Sequence, residues 1–315
     1  MKNAQRLAFA TAILTVVLIG VGVYVRATGS GLGCPDWPTC HGGAVPPGNK
    51  HSLIEFSHRF TASLVGFLVI GTAVCAWKYY RHVPFILWTA TAGVPLVGIQ
   101  GILGAVTVVR ELPPEIVATH LLTAMLVLTC EFAVAFAMYL EDPAHRAGAL
   151  AAARGPGRAV GLWALVAVAW LAALLWVGGY MAESGASTAC DGWPACNGSV
   201  FPSNDHQEII HMLHRYLAAG LAFAALPFFI SALRRRHAVR WAGTAATAAA
   251  ALYGAQVVVG ALNVWYTFPD AMTVTHTVIA SLVWSALASA TILGLYVPAL
   301  EPRPHRLSAG SGVPA

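Results

Sequence analysis

Apolar runs long enough to cross a lipid bilayer recur along the whole chain, and no other feature restricts its folding so strongly. A hydrocarbon core of about 30 Å takes roughly 20 residues of helix to span. Hydropathy and periodicity predict eight such helices, over about 7–25, 58–77, 84–108, 117–140, 160–179, 211–232, 241–264 and 272–298. Of the 315 residues, 57% are apolar and only 10% charged, against roughly 25% charged in soluble domains. An ordinary soluble enzyme is excluded. The chain reads as an all-α polytopic membrane protein, and its chemistry must come from the few polar groups inside or at the rim of the membrane.

The net charge of +5 sits in short loops rather than on one soluble face, so nucleic acid is not the expected partner. With the N-terminus inside, 13 of the 18 Lys and Arg residues fall on the cytoplasmic side. That bias predicts both termini on the cytoplasmic side. The first apolar run is read as a retained helix. The lipoprotein-like Cys34 lies nine residues beyond it, and an equivalent recurs at Cys190, where no cleavage signal operates. Residues 141–159, rich in Ala, Gly, Pro and Arg, read as a cytoplasmic linker, and 301–315 as a disordered tail.

An internal repeat organises the rest. A shift of 156 residues aligns Cys34 with Cys190, Trp37 with Trp193, Pro38 with Pro194 and Cys40 with Cys196. The same shift aligns His58-Arg59 with His214-Arg215, Gln100 with Gln256, Gly104 with Gly260, Pro113 with Pro269 and Thr119-His120 with Thr275-His276. Each half holds four helices, so both have one orientation in the membrane. The predicted architecture is two tandem pseudo-symmetric four-helix bundles, 1–140 and 160–300, each with an equivalent interior site.

The cysteine pairs fall in matching outside loops, where an oxidising compartment favours the disulfides Cys34–Cys40 and Cys190–Cys196. A zinc site using His41 is the competing reading, weakened because Asn197 stands in its place in the second loop. Spacing does not separate a structural staple from a redox-active pair. Cys75 and Cys130 read as packing residues.

Five histidines fall at or near helix ends. His58 is expected to open the second helix and His120 to lie in the first turn of the fourth; His214 and His276 repeat this in the second half. Facing imidazoles in a helical bundle suit a flat metal macrocycle with two axial nitrogens, which implies two haem sites. The halves differ one turn before the first histidine, where Glu55 corresponds to His211. A carboxylate beside one site suggests proton-coupled chemistry there, although it also suits an ion pair with Arg59. Arg59 and Arg215 suit haem propionates or simple snorkelling, and Gln100 and Gln256 suit cavity lining or bonds between helices.

Glu55-x-x-His58-Arg59, Thr119-His120, His214-Arg215, Thr275-His276 and the paired loop cysteines together resemble the bacterial haem A synthases, from about residue 7 to 298. The resemblance implies oxidation of the position-8 methyl of haem O to a formyl group, via a hydroxymethyl intermediate, for cytochrome oxidase cofactor biosynthesis. It makes His214 and His276 the axial ligands of haem b, and His58 and His120 the iron-side residues of the site that receives haem O. Glu55 becomes the acidic residue important for conversion, and Cys34 with Cys40 the loop pair associated with activity. Haem O synthase and cytochrome oxidase assembly factors are the implied partners. From the residues alone, a bis-histidine di-haem electron carrier fits the four histidines equally well; a transporter, which predicts no stable haem, is weakened by the parallel halves.

Overall fold

The computed structural model describes residues 2–142, 157–237 and 240–296. The helices are α1 (Lys2–Ala27), α2 (Lys50–Tyr79), α3 (Pro84–Val109), α4 (Pro114–Leu140), α5 (Gly157–Glu183), α6 (His206–Arg234), α7 (Arg240–Trp265) and α8 (Asp270–Tyr296), with a short 3-10 turn at Ala186–Thr188. All eight are long and apolar enough to cross a membrane, and no strand occurs among the described residues. The expected tail, 301–315, and residues 143–156 of the expected linker lie outside the described residues. Residues 157–159, read as linker, already belong to α5.

Several helices begin earlier than hydropathy predicts, and α2 begins earliest. Its first two turns carry Lys50, His51, Ser52 and Glu55, which lower the apolar average without breaking the helix. Asn49 caps it by accepting the Ser52 N–H, and Asp205, 156 residues on, caps α6 by accepting from Gln207 and Glu208. Such caps satisfy backbone donors left free at a helix start. His58 therefore does not open its helix but lies eight residues in, and His120 lies six residues into α4, in its second turn. At 1.5 Å per residue these depths are roughly 12 and 9 Å from the helix starts.

In the first half α1 packs on α2 and α4, and α3 packs on α2 and α4; in the second half α5 and α7 each pack on α6 and α8 in the same way. The halves meet along α4–α5, α1–α8 and α4–α8. Thus α1, α4, α5 and α8 form the centre, while α2, α3, α6 and α7 flank it and expose Phe60, Phe67, Trp88 and Phe223. Lipid is as apolar as leucine, so helices in it associate through close packing and hydrogen bonds. Accordingly, many of the buried core residues are alanines, including Ala8, Ala12, Ala137, Ala164 and Ala167. At the crossing of α5 and α8 a Cβ on Gly294 would lie 2.6 Å from the Gly161 Cα, so neither glycine can be enlarged there. Trp284 Nε1 donates to Thr129 Oγ1 at 2.8 Å, and Arg26 donates to the Ala182 carbonyl at 3.2 Å, tying the halves together at two levels.

Candidate functional site

His58, His120, His214 and His276 all sit toward the end of the bundle that carries the cysteine loops. His58 and His120 are close enough to interact electrostatically, as are His214 and His276. The Nδ1 atoms of all four are buried and close no hydrogen bond. A glycine on the neighbouring helix faces each ring. A Cβ would stand 2.9 Å from His58 Cε1 if built on Gly22, and 2.9 Å from His214 Cε1 if built on Gly178. The matching distances are 3.6 Å from Gly104 to His120 and 3.1 Å from Gly260 to His276. Gln100 Nε2 donates to the His120 carbonyl at 2.9 Å, while the Oε1 atoms of Gln100 and Gln256 are buried without a partner.

Above the first pair lies a loop closed by the Cys34–Cys40 disulfide, and above the second a loop closed by Cys190–Cys196. With both thiols of the first loop bonded to each other, the zinc alternative has no thiolate left. His41 serves a different purpose. Residues 41–42 and 197–198 all have positive φ, forming the tight turns that join Cys40 to Gly43 and Cys196 to Ser199. Turns of this type favour Asn followed by Gly, the pair found in the second loop. The Asp36 carboxylate organises the first turn by accepting from the Thr39 hydroxyl, from Gly42 N–H at 2.8 Å and from His41 N–H at 2.5 Å. The Thr39 hydroxyl, followed by the Gly42 amide, holds the Asp36 pKa down at about 2.

Glu55 joins this loop to the histidine helix. Its side chain is buried, with Oε2 accepting the Cys34 N–H at 2.7 Å and Oε1 accepting from Arg59 at 2.5 Å. Arg59 also donates to the carbonyls of Cys34 at 2.7 Å, Asp36 at 2.7 Å and Thr39 at 2.8 Å. Its terminal nitrogens, expected at a propionate, are taken by the disulfide loop and by Glu55. A carboxylate has about four acceptor positions, so Glu55 keeps lone pairs for a further donor.

The second half keeps the brace and changes its chemistry. Arg215 donates to the carbonyls of Pro194 and Ala195 at 3.0 and 3.1 Å and, through its other terminal nitrogen, to His211 Nε2 at 3.0 Å. Because the guanidinium can only donate, His211 Nε2 is the acceptor, and its Nδ1–H donates to the Ala186 carbonyl at 3.0 Å. His211 is thus a fully bonded strut, where Glu55 is an anion with acceptor capacity to spare. Arg215 Nε is buried without a partner, and its N–H remains available for another group.

The four histidines fit haem ligation on chemical grounds. They are buried imidazoles in facing pairs with uncommitted nitrogens, and among the described residues no cluster of three or more His, Cys, Asp or Glu competes for a metal ion. Three features escaped the sequence reading. Gly22 and Gly178, like Gly104 and Gly260, are related by the 156-residue offset, but only folding brings them against the histidines. Asp36 has no aligned carboxylate, since Gly192 stands in its place. Glu131, deep in α4, is buried with Oε2 unpartnered; its Oε1 would lie 3.2 Å from a Cβ on Gly93, and Leu287 replaces it in the second half.

Residues 5–288 match the family described as cytochrome oxidase assembly protein, COX15-CtaA. The chain is 30% identical over 291 residues to the heme A synthase of Alkalihalophilus pseudofirmus, covering 90% of this chain and 94% of that one. It is 29% identical over 299 residues to the heme A synthase of Shouchella clausii, covering 93% and 97%. Against the heme A synthase of Geobacillus kaustophilus the identity is 27% over 309 residues, covering 97% and 95%.

Proposed function

The chain belongs to the cytochrome oxidase assembly protein family, and from that premise we propose that it is a haem A synthase, a multi-pass membrane enzyme acting on haem. In this reading the reaction is oxidation of the position-8 methyl of haem O, first to a hydroxymethyl group and then to a hydrated aldehyde that loses water to leave the formyl group of haem A. Haem O is the substrate of the first bundle, residues 1–140, with His58 and His120 on its iron. Haem b is the resident cofactor of the second bundle, residues 160–300, held by His214 and His276. When bound, haem b supplies one-electron redox capacity beside the substrate site.

The observation that carries the reading is the exchange of Glu55 for His211 between otherwise matching histidine pairs. Two identical electron-transfer sites would need no such difference, and the di-haem carrier is not favoured by the family. Glu55, fixed by Cys34 N–H and Arg59, is suited to take a proton from the substrate hydroxyl or from attacking water. The disulfide loop, fastened through Arg59, covers the site and keeps that carboxylate oriented. The Lys and Arg bias and the paired cysteines support a bacterial plasma membrane with these loops outside. Haem O synthase and cytochrome oxidase assembly factors are the partners this activity calls for.

Histidine variants test the assignment. His214→Ala and His276→Ala should lose the haem b absorbance of the purified protein, while His58→Ala and His120→Ala keep it and make no haem A. Loss of haem b from His58→Ala together with its retention in His276→Ala would reverse the two sites and refute the proposal.

A further inference from the structure

Every helix-borne histidine pair depends on something the opposite helix lacks. Gly22, Gly104, Gly178 and Gly260 lie on α1, α3, α5 and α7, and each faces a histidine on α2, α4, α6 or α8. Cε1 is the nearest ring atom in all four contacts; Nδ1 comes next at Gly178 and Gly260, while at Gly22 Nδ1 and Nε2 stand nearly level, at 3.4 and 3.5 Å. In an α-helix the carbonyl of residue i lies beside residue i+4, so a glycine at i+4 leaves that carbonyl uncovered on the helix surface. The carbonyls uncovered in this way belong to Leu18, Gln100, Leu174 and Gln256. In the second half His214 lies near the Leu174 carbonyl and His276 near that of Gln256, although neither Nδ1 closes a hydrogen bond there. In the first half no such partner is found for either ring.

We infer that these glycines are positioning residues for the haem ligands: each admits the Nδ1 edge of a histidine to a bared backbone carbonyl, which fixes the tautomer and turns Nε2 toward iron. This rests on the histidines being ligands, as set out above. A second hydrogen bond from a ligating imidazole orients the ring and tunes the metal, and its loss commonly costs 10–100-fold in metal affinity.

The space around each glycine grades the expected effects. Alanine at 22 or 178 places a methyl 2.9 Å from a ring carbon, so the imidazole must move; at 260 the distance is 3.1 Å and the ring must give slightly. Alanine at 104 makes an ordinary contact at 3.6 Å. Gly98 on α3 and Gly254 on α7, also related by the offset, have nothing within 4 Å and serve as controls on the same helices. Alanine is the better helix former, so a loss in these variants does not come from weakened helices.

The test uses the purified full-length protein with its bound haem, comparing Gly178→Ala, Gly260→Ala and Gly254→Ala with wild type. Haem b loss to excess apomyoglobin is timed, and the low-spin signal is recorded by electron paramagnetic resonance. Gly178→Ala should release haem roughly 10–100-fold faster and shift the low-spin g-values, Gly260→Ala should do the same to a smaller degree, and Gly254→Ala should match wild type. If Gly178→Ala cannot be purified folded, Gly260→Ala carries the same comparison. Wild-type behaviour of both variants overturns the inference, as does an equal effect of Gly254→Ala. A wild-type protein without low-spin haem overturns the ligand assignment itself, and this inference with it.

Discussion

Removing the Glu55 carboxylate should separate catalysis from haem binding. In Glu55→Ala the Cys34 N–H loses its acceptor and Arg59 loses its counter-charge. A buried donor without a partner costs about 1–3 kcal/mol, and a hydrogen bond to a charged group contributes about 1.5–3 kcal/mol. Arg59 keeps three loop carbonyls, which holds the total near the low end of the two added together, about 3 kcal/mol of local stability. At 1.4 kcal/mol per factor of ten, the loop around residues 34–40 should open roughly 100-fold more readily. Hydrogen exchange read by mass spectrometry on a peptide spanning that loop measures this directly, with the 190–196 loop as an internal control. Haem A output should fall at least 100-fold, the lower bound for losing a general base, while haem b stays bound. Unchanged exchange of the first loop, or haem A made at the wild-type rate, would refute the reasoning.

Other perturbations address the same end of the bundle. Replacing Cys34 and Cys40 with Ser removes a cross-link of sequence separation 6 and should cost about 2 kcal/mol of loop stability, read as a lower reductant-sensitive unfolding temperature. Asn197→Val puts a β-branched residue at φ 50° and removes side-chain bonds to Asp191, Ala189 and Glu208; a loss of about 2 kcal/mol is expected, checked by hydrogen exchange of the second loop. Asp36 has a folded pKa of about 2 against 3.8 for the free group, so its contribution is complete above 3.8 and is lost as pH falls toward 2. Peptic cleavage of the first loop should rise across that window in wild type and show no such step in Asp36→Asn. His211→Ala should leave Arg215 without its Nε2 acceptor and shift the haem b midpoint potential, with haem A production reduced less than in Glu55→Ala.

The spans were legible because crossing a membrane demands long apolar helices whatever packs around them. Their starts were not, since Lys50 through Glu55 are helical for reasons of capping and not of hydropathy. Hydropathy therefore puts His58 at the opening of its helix and His120 in the first turn of its own, whereas His58 lies about two turns in and His120 in the second turn. The 156-residue offset exposed the histidine pairs, the cysteine loops and the Glu55–His211 difference, because these are sequence identities and their exceptions. It contained Gly104 with Gly260 as well, but a glycine has no side chain to announce a role. Arg59 could be read as a propionate ligand because charge and depth are all a sequence gives. Its three loop carbonyls are backbone atoms that only folding places beside it.

The central claim is that one histidine pair keeps haem b while the other, beside Glu55, turns over haem O. Expressing the protein in a host that makes haem O but not haem A, purifying it in mild detergent and identifying the extracted haems by chromatography and mass tests both halves of that claim together. The account predicts haem b accompanied by haem A or its hydroxymethyl precursor. Haem b alone, with haem O available in the same membranes, would contradict it.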